Sequence, residues 1–218
     1  MIDIYLDIET IPSQSPEYRA NVLENITPPG TIKKAESIAK WMDEKADAAA
    51  DDIVAKTSFN PAAGHVCCIG WAHGDGEVEY AEMRDLKDEK AMIETFFHTF
   101  PDLGLACFIG HNVAAFDLRF LLCRSIVLGV KLPPAFPRDI KPWGNNVFDT
   151  MIAWAGTRGT ISLDNLAGAL GLGGKGDFDG SMVAQAWKDG RHTTISSYCR
   201  SDVALTREIH RKFKSVNF

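Results

Sequence analysis

The first ten residues alternate strictly. Ile2, Ile4, Leu6 and Ile8 fall between Asp3, Tyr5, Asp7 and Glu9, the period-2 pattern of a β-strand with one apolar and one polar face. Ile11-Pro12 ends the pairing, because proline lacks the N–H that a ladder needs. Residues 13–30 are rich in Pro, Ser and Asn and predict a loop with a short helix. From Thr31 to Lys56 the period becomes helical: Ile32, Ala35, Ile38, Ala39, Met42, Ala46, Ala49 and Ile53 recur among Lys, Glu and Asp. The segment of about 13–60 therefore reads as a helical insertion packed on a main sheet, either a lid or a partner surface.

Val66 to Ala72 is a continuous apolar run suited to a central strand, and Gly74-Asp75-Gly76 turns it into a hairpin partner at Glu77 to Met83. Met92, Ile93, Phe96, Phe97 and Phe100 give an amphipathic helix over Asp88 to Phe100, and Leu105 to Gly110 reads as the next buried strand. Beyond His111 the pattern turns helical to about Leu128. Pro133, Pro134, Pro137 and Pro142 make the following stretch irregular. Val147 to Thr150 returns as a short strand, with Asp149 as cap for a helix from Met151, and Ser162 caps a further helix ending at Gly171. The last helix spans Thr194 to Lys214 with an inward stripe of Ile195, Tyr198, Asp202, Leu205 and Ile209. Strands, hairpin and helices in this order predict an α/β fold, a mixed sheet flanked by helices, as one domain over 1–218.

Charge changes this picture only in its distribution. The net charge is −6, yet residues 1–111 carry 9 Lys/Arg against 20 Asp/Glu, while residues 112–218 carry 14 against 9. Only the C-terminal half offers a phosphate-facing surface. Cys67, Cys68, Cys107, Cys123 and Cys199 are odd in number and lack C-x-x-C spacing, which fits reduced core thiols. No apolar run approaches the roughly 18 residues of a membrane span, and the expected location is cytoplasmic.

Four acids do not fit a purely structural reading. Asp7 and Glu9 share a strand face, with Cα atoms about 7 Å apart, so both carboxylates can reach one cation. Asp117 has Val113, Ala114, Phe120 and Leu121 at helical spacing around it, and Asp202 stands in the apolar stripe of the last helix with Tyr198 one turn before it. Each alone is explained by a cap, an ion pair or a solvated face. Together they form the oxygen-rich set that hard divalent cations take. Gly171-Leu172-Gly173-Gly174-Lys175-Gly176 matches G-x-G-x-x-G but follows a helix instead of a strand, and Gly176 stands where a Walker A loop needs Ser or Thr. It reads as a loop, with Lys175 a candidate phosphate contact. The histidines, His111 included, lack partners at ligand spacing.

With these residues in place the chain resembles the DEDD 3′–5′ exonucleases of ribonuclease H-like fold. Asp7-Ile8-Glu9-Thr10 resembles their first motif, Asn112 to Asp117 the second, and Tyr198-x3-Asp202 the third in its tyrosine form; Ser197 stands where the histidine form would need His. The likeness is greatest to stand-alone relatives of the proofreading domain of family B DNA polymerases. It implies that Asp7, Glu9, Asp117 and Asp202 hold two Mg²⁺ or Mn²⁺ ions and that Tyr198 orients the attacking water. It also implies that Thr10, Asn112 and Phe116 contact the terminal nucleotide, although Phe116 reads equally as a core residue. The expected activity is removal of nucleoside 5′-monophosphates from the 3′ end of single-stranded nucleic acid, DNA favoured over RNA. A polymerase or repair partner would act in trans. The alternatives are an exoribonuclease of the same geometry and a non-catalytic nucleic-acid-binding module.

Overall fold

The computed structural model describes residues 1–100, 106–142, 144–173 and 176–218. Its strands are β1 (Ile2–Ile11), β2 (His65–His73), β3 (Glu79–Glu82), β4 (Ala106–Gly110) and β5 (Val147–Asp149). They form one sheet in the order β3-β2-β1-β4-β5. β1 pairs antiparallel with β2 and parallel with β4, so the alternating strand of the sequence lies at the centre of a mixed sheet. The helices are α1 (Pro16–Asn25), α2 (Ala35–Ala55), α3 (Glu89–His98), α4 (Asp117–Leu128), α5 (Thr150–Ala155), α6 (Leu163–Ala169), α7 (Val183–Lys188) and α8 (His192–Ser215). This is an α/β, ribonuclease H-like arrangement.

A two-faced central strand needs two different layers. Ile4, Leu6 and Ile8 enter the larger core with Phe96, Phe100, Phe108 and Phe136, whose rings meet edge-on at 4.8–5.8 Å, the spacing aromatic pairs prefer. The opposite face lies under α8. There Tyr5 bonds His210 Nδ1 at 3.0 Å, Lys214 Nζ donates to Asp3 Oδ2 at 3.2 Å, and the Cys199 thiol donates to the Asp7 carbonyl at 3.4 Å. The polar half of β1 is thus covered along its length by one helix. Beneath α3 and α4, buried Glu89 accepts from Arg124 Nη2 at 2.6 Å, Arg124 Nε at 2.8 Å and Val66 N at 3.0 Å, which ties α3 and α4 to the start of β2.

The insertion departs from its expected packing. Of the stripe read in the sequence only Ala46 is buried, joined by Ala50, while Met42 and Ile53 are exposed. The reason is that α2 pairs with α1, through Arg19 to Asp47 and Asp51 at 3.0 and 2.7 Å, and packs there more than on the sheet. The helix also begins at Ala35, later than Thr31, and passes at Lys56 into a 3₁₀ turn, Lys56–Phe59. α7 has no counterpart in the sequence reading, its six residues being too short for periodicity to show. The expected strand residue Leu105, and Gly174 and Lys175 of the glycine-rich loop, lie outside the described residues. All five cysteines are free thiols. Among the described residues no helix is long and apolar enough to cross a membrane.

Candidate active site

The site forms where β1 runs on past β4. β1 and β4 pair only from Ile2 to Tyr5, so the Ile8 N–H beyond that edge has no strand partner there. Asp117, at the first turn of α4, accepts this N–H through Oδ1 at 2.9 Å. Its carboxylate is thereby fixed against the backbone between Asp7 and Glu9. The opposite edge carries an irregular register between Glu9 and Thr10, and such bulges bend a strand and re-aim its side chains.

The approach to α4 is held by Asp149. Its Oδ1 accepts Asn112 N at 3.0 Å and its Oδ2 accepts Ala114 N at 3.1 Å, while Oδ1 also caps α5 at Met151 N and Ile152 N. Asn112 itself takes a left-handed φ of 64°, which asparagine tolerates better than most side chains. His111 supports the same turn by bridging Thr150 Oγ1 at 2.9 Å and Ile161 O at 2.8 Å. In sequence Asp149 read only as a cap, and His111 had no role. Replacing Asp149 with alanine would strip four backbone N–H groups of their acceptor, so we expect a loss of about 3–5 kcal/mol in denaturant unfolding, with Asp149→Asn recovering part of it.

α8 brings the third motif. It buries Ile195, Asp202 and Ile209 of the stripe expected, together with Cys199, Val203, Thr206 and Phe213, a seam rotated by roughly 60° at 3.6 residues per turn, so Tyr198 and Leu205 flank it, half-buried. Close approach depends on Gly70, which pairs with Asp7 across the sheet. A Cβ there would lie 3.0 Å from Cys199 Sγ and 3.1 Å from Val203 Cγ2. A glycine inside an apolar strand run was the one sequence signal of this contact. Tyr198 hydrogen-bonds Asp202, and its ring meets Phe178 edge-on at 5.1 Å.

Asp7, Glu9, Asp117, Asp202 and Tyr198, drawn from three elements, therefore come together. Burial, and then the charges of Glu9, Asp117 and Asp202, push the Asp7 carboxyl well above its usual range. Asp117 is pushed up to about 7, by burial first and then by Asp149 and Asp202, against the bonds from backbone N–H groups. Burial and then Asp202, Glu9 and Asp7 raise Tyr198 far above an ordinary phenol. Asp7 Oδ2 is buried without a hydrogen-bond partner among the described residues. An orphaned carboxylate oxygen among other acids fits a cation. Ligand atoms of Asp7, Glu9 and Cys199 lie within 4.8 Å of one another. The Cys199 thiol, however, is held protonated by burial and by its neighbours Cys68, Asp7 and Glu9, which leaves an oxygen set suited to a hard cation.

Two grooves open beside the acids. One, of about 720 Å³, is lined by Glu9, Thr10, Lys56, Phe59 and Phe116 among others. The other, of about 440 Å³, is lined by Phe178, Thr194, Ser197, Tyr198, Ser201 and Asp202. Thr10 and Phe116 thus face the first groove, the Thr10 hydroxyl donating to Ser58 O at 2.7 Å. Asn112 contributes its backbone to the turn that precedes α4. Lys56 and Phe59 are groove residues that the sequence reading passed over, since neither stands in a motif.

Among solved structures, a family B DNA polymerase from the hyperthermophilic archaeon Pyrobaculum calidifontis is similar over 97% of this chain, with a TM-score of 0.61 and 17% identity. The chain spans 24% of that polymerase, and at this identity the likeness is one of fold. No curated protein matches the sequence. A family described as a predicted 3′–5′ exonuclease related to the exonuclease domain of PolB matches residues 59–217, which include Asp117, Tyr198 and Asp202 and begin after β1. That match covers well over half of the sequence, and the chain accordingly belongs to the family of predicted 3′–5′ exonucleases related to the exonuclease domain of PolB.

Proposed function

We propose that this protein is a metal-dependent 3′–5′ exonuclease that releases nucleoside 5′-monophosphates from single-stranded DNA. The observation that carries this reading is the clustering of the acids: Asp7 half-buried beside Glu9, Asp117 and Asp202, with its Oδ2 buried and without a hydrogen-bond partner among the described residues. Asp7, Glu9, Asp117 and Asp202 would hold two divalent cations, Mg²⁺ or Mn²⁺. Bound there, the cations supply activation of a water and stabilisation of charge on the leaving 3′ oxygen.

The side chains of the chain do the rest. Asp117, fixed by the Ile8 N–H, acts electrostatically on Asp7 and Asp202 in the cluster. Tyr198 stays protonated at neutral pH, because its neighbours raise its pKa, so it acts as a hydrogen-bond donor that orients water and not as a general base. Thr10 and Phe116 line the first groove, where the terminal nucleotide would rest, and Asn112 stands in the turn before α4. Nothing in these residues reads the 2′-OH that separates RNA from DNA. The experiment is digestion of matched 5′-labelled DNA and RNA strands in Mg²⁺, Mn²⁺ or EDTA. A metal-dependent ladder shortening from the 3′ end, faster on DNA, is the expected result. Faster shortening of RNA would make it an exoribonuclease, and no shortening of either would sink the enzymatic reading in favour of a binding module. In the same assay Tyr198→Phe should lower the rate by about 10- to 100-fold, the loss of one hydrogen bond to a charged group, with cation binding retained.

A further inference from the structure

The acids of β1 stand beside two thiols that the reading above does not use. Across β1 and β2, Asp7 pairs with Gly70 and Glu9 with Cys68, and residues directly opposite in an antiparallel pair share one face of the sheet. Gly70 has no side chain, so the space over it is taken by Cys199 of α8, whose Sγ would lie 3.0 Å from a Cβ there. The Cys199 thiol donates to the Asp7 carbonyl at 3.4 Å and is hydrogen-bonded to the Cys68 thiol. Both cysteines are fully buried free thiols. One ligand atom each from Asp7, Glu9 and Cys199 lies within 4.8 Å of the other two. Buried cysteines are common as plain core residues; what separates these two is the pair of carboxylates set against them.

A hard cation such as Mg²⁺ takes the carboxylates and leaves a thiol alone, whereas a soft or borderline cation prefers sulfur. Zn²⁺ binds sulfur at about 2.3 Å and carboxylate oxygen at about 2.0–2.2 Å in a tetrahedron, which puts sulfur and oxygen about 3.6 Å apart around one ion. From separations of at most 4.8 Å, side-chain rotations of about 1 Å reach that spacing. Asp7 Oδ2, buried without a hydrogen-bond partner among the described residues, is the oxygen such an ion would complete. Asp7 is half-buried and Glu9 lines the first groove, which gives the ion its way in. We infer that Asp7, Glu9 and Cys199 form a site for a thiophilic divalent cation such as Zn²⁺, with Cys68 as a fourth ligand, and that an ion held there stops hydrolysis by withdrawing Asp7 and Glu9 from the catalytic cations. Binding forms a metal–sulfur bond and breaks the S–H bond of Cys199, whose proton leaves to solvent; no electron is transferred. The binding follows from the side chains alone, and the loss of hydrolysis rests on the exonuclease reading.

The test titrates Cd²⁺, a spectroscopic stand-in for Zn²⁺, into the full chain carrying Cys107→Ser and Cys123→Ser, which removes the two half-buried thiols. The ultraviolet sulfur-to-cadmium charge-transfer band should grow and saturate. Mn²⁺ at about ten times its own Kd should raise the apparent Kd for Cd²⁺ about tenfold, as competition for shared carboxylates requires. Adding Cys199→Ser should abolish the band. Adding Asp7→Asn, which keeps both thiols, should raise the Kd for Cd²⁺ at least about tenfold, since losing a ligand costs no less than losing a residue that orients one. In strand shortening with Mg²⁺, Zn²⁺ should slow the wild type, and Cys199→Ser, measured against its own rate without Zn²⁺, should need at least about tenfold more Zn²⁺ for the same slowing. No band in the parent protein, a band that survives Cys199→Ser, or one that Mn²⁺ does not displace would overturn the site. Where circular dichroism shows Cys199→Ser unfolded, Asp7→Asn decides, and an unchanged Kd there overturns the site as well. Equal sensitivity of wild type and folded Cys199→Ser to Zn²⁺ overturns its part in stopping hydrolysis. Wild type that shortens no strand in Mg²⁺ or Mn²⁺ overturns the exonuclease reading instead, and the spectroscopic arm still decides the site.

Discussion

Replacing Asp7 with asparagine should reduce strand shortening by at least about 10³-fold, and in EDTA at pH 8 it should raise the melting temperature. The first effect follows from the position of Asp7 at the centre of the acid cluster, where Glu9, Asp117 and Asp202 all act on it. Loss of several kcal/mol of charge stabilisation corresponds to three or more orders of magnitude in rate. The second effect follows from the same geometry with the opposite sign. Without a cation the folded protein favours a neutral group at this position, since burial and three neighbouring acids raise the carboxyl. Asparagine is neutral at every pH and nearly isosteric. For a chain of this size each kcal/mol of relief appears as about 2–4 °C. Both readouts are needed. Undiminished hydrolysis by a nuclease-free Asp7→Asn preparation would refute the ligand assignment, and a lower melting temperature in EDTA would show that the acids are already compensated.

Metal-free protein should also lose stability as pH rises, and divalent cations should restore it. Asp117 has a folded pKa raised from 3.8 to about 7, and Asp7 is raised as well. Between the unfolded and folded values the native state binds more protons than the unfolded state. Stability therefore falls as pH climbs from about 4 through about 7. His210 works the other way: burial lowers its pKa below 6.5, so its contribution rises as pH climbs through that range. The comparison that isolates the acids is wild type against Asp7→Asn and Asp117→Asn, by thermal melts from pH 5 to pH 8 in EDTA and in excess Mg²⁺ or Mn²⁺. The cations should change the wild-type melting temperature little at pH 5, where the site holds protons, and raise it by about 5–10 °C at pH 8, the effect of a ligand near 100 times its Kd. Equal stabilisation at both pH values would mean that the cations bind elsewhere.

The motifs were legible because they break their own local patterns. Asp202 interrupts an apolar stripe, Asp117 sits among Val113, Ala114 and Leu121, and Asp7 and Glu9 share one face of an alternating strand. An acid placed where burial is due must have a compensating partner, and that requirement can be read without coordinates. The elements around it were legible for the same reason, with errors where the period was short or the packing local. α7 is too brief to show a period, and α2, paired with α1 through charged side chains, leaves Met42 and Ile53 exposed. The stripe expected for α8 held at Ile195, Asp202 and Ile209 but included Tyr198 and Leu205 in place of Cys199 and Thr206, which look neutral in sequence yet are buried.

The order and spacing of residues by themselves determined the mixed α/β sheet, the two-faced first strand, and the residue types able to hold a cation. These follow from periodicity and from the cost of burying charge, both local properties of the chain. Only the tertiary structure decided that β1 outruns β4, so that the Ile8 N–H anchors Asp117, that Asp149 gathers the amides of Asn112 and Ala114, and that Gly70 admits α8 to within van der Waals reach of Asp7. It alone set Phe59 against Phe116 across 57 positions of sequence. Such contacts join segments with no shared period, and their energy arises only when the sheet has brought the segments together.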